Sequence, residues 1–211
     1  MALEEIRNER IKKLEALKET GMDPYPAQTG RTHAIADVLK KFSALEKAKD
    51  EVVIAGRVMA RREHGGSMFL DVRDGSGVMQ VYLKRDVLGE EYDHAVEILD
   101  IGDIVEITGS VFRTKKEEET VQASKWRMLA KSLRPLPEKW HGLQDVEERF
   151  RKRYLDTLMN DGVRERFELR SRLIRAIREF HEKKGFLEVE TPVLHPIPGG
   201  AIARPFTTHH N

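Results

Sequence analysis

The chain has 211 residues, 37 Lys+Arg against 36 Asp+Glu for a formal net charge of +1, 35% charged residues and no cysteine. That length suits one large domain or two small ones, and the lack of Cys excludes a disulfide scaffold, a Cys-based zinc site and a Cys nucleophile. No run of about 18 uncharged apolar residues is present to span a membrane, and MALEEIRNER lacks the apolar core of a secretory signal. A cytoplasmic protein with no membrane partner is expected. The near-zero net charge argues against a uniformly basic nucleic-acid binder, though not against one with a local basic face.

Taken in chain order, residues 3 to about 20 predict a helix: Leu3, Ile6, Leu14 and Leu17 fall near one stripe, and acids precede bases at helical spacing. Gly21 is a stop signal, and residues 22–30 (MDPYPAQTG), with two prolines, read as a linker. A short helix is expected from Ala34 to Ala48. The pattern then changes. Residues 52–62 are β-rich, residues 67–74 and 77–84 alternate apolar with polar, and Asp74-Gly75-Ser76-Gly77 between them is a hairpin signal. A helix-like stretch at 85–99 precedes strand character at 104–113 and 119–133, with the charged run Lys115–Glu119 at the tip. Three strands, a helix and two strands is the order of an OB-fold, a five-stranded Greek-key barrel; another small barrel or an α+β domain remains open at this point. RPLPEKWH, residues 134–141, reads as a connector. Helices are expected over 146–159 and 164–184, the second with Phe167, Ile174, Ile177 and Phe180 near one face and Gly185 as its stop. Residues 186–194 then read as a strand and 196–200 as a turn.

Strand parity decides which side chains the barrel would leave outside. Met68, Leu70 and Val72 share one face, and Met79, Val81 and Leu83 another; these apolar sets belong inside. Phe69, Gln80 and Tyr82 are therefore expected outside, flanked by Arg57, Arg61 and Arg62 of the first strand. Strict alternation gives Arg62 the wrong parity to join Arg57, and Gly56 is a candidate site for a bulge that would correct it. Rings that stack unpaired bases, an amide that reads a base edge and arginines that hold phosphate suit single-stranded nucleic acid. The alternative is that Phe69 and Tyr82 cover a neighbouring helix. None of the eight histidines has metal-ligand spacing, no metal site is expected, and phosphate-loop, dinucleotide and nucleophile-elbow motifs are absent.

GRVMARREHGGSMFLDVRDGSGVMQVYL resembles the anticodon-binding OB domain of the class II aminoacyl-tRNA synthetases for lysine, aspartate and asparagine. RPLPEKWHGLQDVEERFRKRYLD resembles the hinge into their catalytic domain, and the helix ending GFLEVETPVL is similar to class II motif 1. PIPGGAIARPFTTHHN is more similar to the lysine enzymes than to the aspartate or asparagine ones. The resemblance implies an α+β, mostly β chain: an N-terminal helical extension (1–50), an OB-fold anticodon-binding domain (51–134), a hinge (135–145) and the helical start of a truncated catalytic domain (146–211).

By residue, the resemblance implies anticodon contacts from Phe69 (stacking on the central base), Gln80 (reading its edge), Arg62, Tyr82 and Glu118, with Glu119 as an alternative register for Glu118. Arg57 and Arg61 would flank them. Gly185, Phe186 and Pro192 would belong to motif 1, a homodimer element, and Gly200 would be a backbone contact to lysine. The implied partners are tRNA-Lys through its anticodon stem-loop, lysine and ATP, with Mg²⁺ as cofactor. No catalytic residue is assigned: the arginines of motifs 2 and 3 do not occur in these residues. The 211-residue chain by itself is expected to be inactive in lysine-dependent ATP–pyrophosphate exchange. A non-catalytic tRNA-binding module and a fragment of an aspartate or asparagine enzyme are the competing readings.

Overall fold

Alternation of small and branched apolar residues with polar ones gives five strands that close on themselves. In the computed structural model, which describes residues 3–137, 142–192 and 208–209, the strands are β1 (Glu51–His64), β2 (Ser67–Arg73), β3 (Val78–Lys84), β4 (Ile104–Arg113) and β5 (Glu119–Ala130). They form a closed barrel in the order β1-β2-β3-β5-β4, antiparallel except for the parallel β3–β5 pair. This is the OB-fold expected from the element order. The inward set is fully buried: Met68, Leu70, Val72, Met79, Val81 and Leu83 meet Ile54, Val105, Ile107 and Val121. Each such burial stabilises by about 1.5–3 kcal/mol. Gly56 and Gly109 stand where strands approach too closely for a side chain: an added Cβ would lie 2.6 Å from the Arg73 carbonyl oxygen or 2.0 Å from that of Gln122.

Helices complete this first unit, which spans residues 1–140. They are α1 (Leu3–Glu19), α2 (Ile35–Lys40), α3 (Phe42–Ala48), α4 (Arg85–Leu88) and α5 (Glu90–Ile98). The single helices expected at 34–48 and 85–99 are each two, broken at Lys41 and at Gly89, whose φ of 59° is not helical. Tyr92, Ala95 and Ile98 of α5 join the barrel core, as do Ile35, Val38, Phe42 and Leu45 of α2 and α3. The start of α2 is capped from outside: Asp74, in the β2–β3 turn, accepts from the Ile35 N–H at 3.0 Å and from Ser76 N–H and Gly77 N–H at 2.6 and 2.9 Å. Burial raises the Asp74 pKa, but these donors outweigh it and hold the carboxyl below its ordinary value. Glu106 pins the linker in the same way, accepting from Thr29 Oγ1, the Gly30 N–H and Arg127 Nε at 2.6, 2.6 and 2.8 Å.

The apolar stripe expected on α1 is interrupted. Leu14 and Leu17 are buried and Leu3 is exposed, while Arg10, between them on the stripe, is 8% exposed. Its guanidinium donates to the carbonyls of Ile101, Ser132 and Arg134 at 3.0–3.1 Å. Beside it Lys131, fully buried, donates to the Ile98 carbonyl (2.7 Å), Asp100 (2.6 Å) and Asp103 (2.8 Å), using all three ammonium hydrogens. Lys13 of α1 closes the cluster on Asp100 at 2.7 Å. Burial pushes the Asp100 carboxyl up, and its hydrogen bonds to Lys13 and Lys131 more than offset this, leaving it below the usual carboxylate range.

The second unit spans residues 141–211. Its helices are α6 (Val146–Arg151), α7 (Arg153–Met159) and α8 (Val163–Glu182). The helix expected over 146–159 is broken at Lys152. Asp156 is fully buried, accepting from Arg149 Nε and Asn160 Nδ2, each at 2.7 Å, and from Arg153. Along α8, Phe167, Ile174, Ile177 and Phe180 lie 39–57% exposed. The helix ends in a Schellman motif, with Gly185 N–H on the Glu182 carbonyl, Phe186 N–H on that of His181, and Gly185 at φ 85°. Residues 186–192 are not a strand, contrary to the reading of 186–194. A strand needs a paired neighbour, and no strand occurs among the described residues of this unit. The turn expected at 196–200 lies outside the described residues.

Candidate nucleic-acid interface

Pairing across the barrel wall sets the outer surface. Phe69 on β2 lies opposite Tyr82 on β3, Asp71 opposite Gln80, and Arg62 on β1 opposite Phe69. Continuing through the parallel pair, Gln80 lies opposite Thr120 and Tyr82 opposite Gln122 on β5. One more step reaches β4, where Phe112 lies opposite Thr120. The outward side chains of all five strands thus form one continuous wall.

The rings of Phe69 and Tyr82 stack with centroids 4.8 Å apart and planes at 26°. The Tyr82 hydroxyl lies 3.0 Å from Ser67 Oγ, which fixes that ring from its far end. Phe112 approaches Tyr82 at 6.0 Å and 52°. Phe112 does not figure in the sequence reading, although the alternation of Val105, Ile107, Gly109 and Val111 puts it outside by the same parity that selected Phe69. Such a row leaves flat faces beside solvent, and a stacked base gains about 1–3 kcal/mol. Among the described residues Phe69 and Tyr82 are both half-buried, each keeping part of its surface open.

Polar groups border the row. Thr120 Oγ1 lies 3.0 Å from Gln80 Oε1. Arg62 is exposed and holds Asp71 through two nitrogens at 2.8 and 3.3 Å. Exposed pairs of this kind are worth about 0–1 kcal/mol, so Arg62 exchanges Asp71 for another acceptor at little cost. Glu118 is exposed at the rim, two residues before Thr120, in a turn where Glu117 takes φ 59° and Thr114 Oγ1 accepts from the Glu118 N–H at 3.1 Å. Glu119 is tied to Arg113 at 2.7 Å, which leaves Glu118 as the outward carboxylate of the two.

Two of the flanking arginines are placed elsewhere. The bulge in β1 falls between Val58 and Ala60, not at Gly56, and both Val58 and Met59 are buried. This extra residue inverts the parity beyond it, bringing Arg62 outside and sending Arg61 to the core side opposite Leu70. Arg61 donates to the Val96 and Leu99 carbonyls at the C-terminal end of α5, where a cation complements the helix dipole. Arg57 is half-buried, with Nη1 2.6 Å from the Gly102 carbonyl oxygen; burial lowers its pKa against the opposing pull of Asp103. Neither joins the aromatic row.

In the second unit, Gly185 closes α8 and Phe186 rests edge-on against His181 at 5.5 Å, 64% exposed. Pro192 is exposed and outside regular structure, and Gly200 lies outside the described residues. Among the described residues no helix is long and apolar enough to cross a membrane.

Comparison with known proteins agrees with both units. Residues 52–129 match the model of an OB-fold nucleic acid binding domain, and residues 145–211 match that of the class II tRNA synthetases (D, K and N). The lysine–tRNA ligase of Carboxydothermus hydrogenoformans is 52% identical over 99% of this chain and 42% of that protein. That of Pelotomaculum thermopropionicum is 50% identical over 99% of the chain and 41% of that protein. That of Moorella thermoacetica is 49% identical over 96% of the chain and 41% of that protein. The chain therefore spans about two fifths of the length of the curated relatives it matches. Over that length the chain carries an OB-fold nucleic acid binding domain followed by a class II tRNA synthetase (D, K and N) segment, and throughout it is similar to lysine–tRNA ligases.

Proposed function

We propose that the whole protein is a lysine–tRNA ligase, forming lysyl-adenylate from lysine and ATP and passing lysine to tRNA-Lys in the cytoplasm. The barrel of this chain supplies recognition of the anticodon stem-loop. The observation that carries this reading is the outward row of Phe69, Tyr82 and Phe112 beside Gln80 and Arg62. Phe69 stacks the central anticodon base, Gln80 reads its edge and Tyr82 backs the stack. Arg62 takes a base or phosphate acceptor in place of Asp71, and Glu118 contacts a neighbouring base from the rim. ATP, Mg²⁺ and a lysine contact through Gly200 belong to the reading of the whole protein. Among the described residues no three His, Asp or Glu side chains converge on a possible cation site. The test is fluorescence anisotropy of the chain with labelled anticodon stem-loops. Tighter binding of a UUU loop than of a GUC loop supports the lysine assignment; equal binding, or preference for GUC, overturns it.

The same proposal includes a homodimer. Phe167, Ile174, Ile177 and Phe180 on α8, followed by Phe186, expose an apolar surface of a kind that marks association sites. Sedimentation equilibrium is expected to give twice the chain mass at micromolar concentration, and I177E to return the monomer. A wild-type monomer at that concentration removes the dimer from the proposal.

A further inference from the structure

We infer that Thr120 is a positioning residue for base recognition: its buried hydroxyl fixes which way the Gln80 amide faces, so that Gln80 offers N–H donors and selects a base with a carbonyl over one with an amino group. The inference rests on the proposed RNA contact by Gln80.

A glutamine amide has an acceptor end and a donor end of nearly the same shape, and only its hydrogen-bond partners decide which is turned outward. Here the deciding partner is Thr120, which is 0% exposed, so water does not compete for its hydroxyl. That hydroxyl has one proton and two acceptors in reach: Gln80 Oε1 at 3.0 Å and the Glu118 carbonyl at 3.1 Å. The Glu118 carbonyl already accepts from the Thr114 N–H at 3.1 Å, closing the β4–β5 turn. With that carbonyl already engaged by Thr114, the shorter contact of the Thr120 hydroxyl is its donation to Gln80 Oε1 at 3.0 Å. This turns Oε1 toward the wall and leaves Nε2, with its two donors, facing out beside the Phe69–Tyr82 stack.

Uracil presents O4 where cytosine presents N4–H₂. A donor facing outward completes a hydrogen bond to the first and meets a second donor on the second, leaving both groups desolvated and unpaired. Without the Thr120 hydroxyl the amide is free to turn over and meet either base, and discrimination falls while stacking persists.

The experiment measures binding of the full 211-residue chain to stem-loops with UUU and UCU anticodons. The wild type is expected to favour central uracil by about tenfold, and Thr120→Val to reduce this to about twofold or less with little loss on the UCU loop. Thr120→Ser, which restores the hydroxyl, is expected to restore the preference. In a Gln80→Ala background Thr120→Val is expected to change nothing further. Circular dichroism melting establishes that each variant is folded, and Thr120→Ala replaces Thr120→Val should the latter not fold. An undiminished uracil preference in the folded Val or Ala variant, or no rescue by Ser, overturns the role of Thr120. Absence of RNA binding by the wild-type chain, or binding indifferent to Phe69→Ala, overturns the RNA reading and this inference with it. Binding that depends on Phe69 and Gln80 while ignoring Thr120 overturns this inference alone.

Discussion

Lys131→Met is expected to destabilise the first unit by about 3–5 kcal/mol, the usual cost of removing one partner from a buried ion pair. Methionine keeps most of the stem volume, so the loss reports charge and hydrogen bonding, not a cavity. Asp103 is fully buried and would keep only the Asp100 and Ser132 N–H groups, each at 2.8 Å, while the Ile98 carbonyl would lose the ammonium donor. Urea unfolding followed by far-ultraviolet circular dichroism measures the change; a shift worth less than about 1 kcal/mol would show that the cluster is dispensable. The acid limb is a second readout. The Asp100 carboxyl is held below its ordinary value in the folded chain, so its contribution is present above the unfolded aspartate pKa of about 3.9 and is lost as pH falls through the lower folded value. With Lys131 gone, the part of that dependence due to its hydrogen bond disappears, and the stability of the variant falls less steeply on acidification.

Phe69→Ala is expected to weaken binding of a UUU anticodon stem-loop by about 1–3 kcal/mol, roughly 5- to 150-fold. The barrel is expected to survive. Phe69 faces outward, opposite the buried set Met68, Leu70 and Val72, and Tyr82 keeps its Ser67 and Phe112 contacts. The lost aromatic pair costs about 0.5–1.5 kcal/mol of stability, too little to unfold a barrel whose inner face is intact. Anisotropy titration at fixed ionic strength is the measurement, because phosphate contacts make RNA affinity salt-dependent. Wild-type affinity in a folded variant would defeat the stacking role.

The barrel was legible because β2 and β3 alternate without error, so parity alone separated Met68, Leu70 and Val72 from Phe69 and Asp71. The same rule failed on β1, where Met59 is as apolar as its neighbours and nothing in the local pattern marks it as the extra residue. That one insertion exchanged the roles of Arg61 and Arg62. Phe112 was legible and missed, since parity was not carried through to β4. The charged cluster was not legible: Arg10, Asp100, Asp103 and Lys131 each look like ordinary surface residues in a chain that is 35% charged. Only barrel closure brings positions more than ninety residues apart within hydrogen-bond reach of Arg10. In the second unit, the amphipathic pattern of α8 was readable over its whole length, whereas strand formation at 186–192 depends on a neighbour that local sequence does not encode.

The parallel junction between β3 and β5 joins segments that lie far apart in the chain. The β2–β3 hairpin, with Phe69, Gln80 and Tyr82, joins residues close in sequence and has the least loop entropy to overcome. Thr120 reaches Gln80 from forty positions further along, across α4, α5 and β4. In chain order, Gln80 beside the proposed Phe69–Tyr82 stacking surface therefore precedes by about forty positions the hydroxyl inferred to orient it, so the two parts of the proposed site come from segments that only the closed barrel brings together.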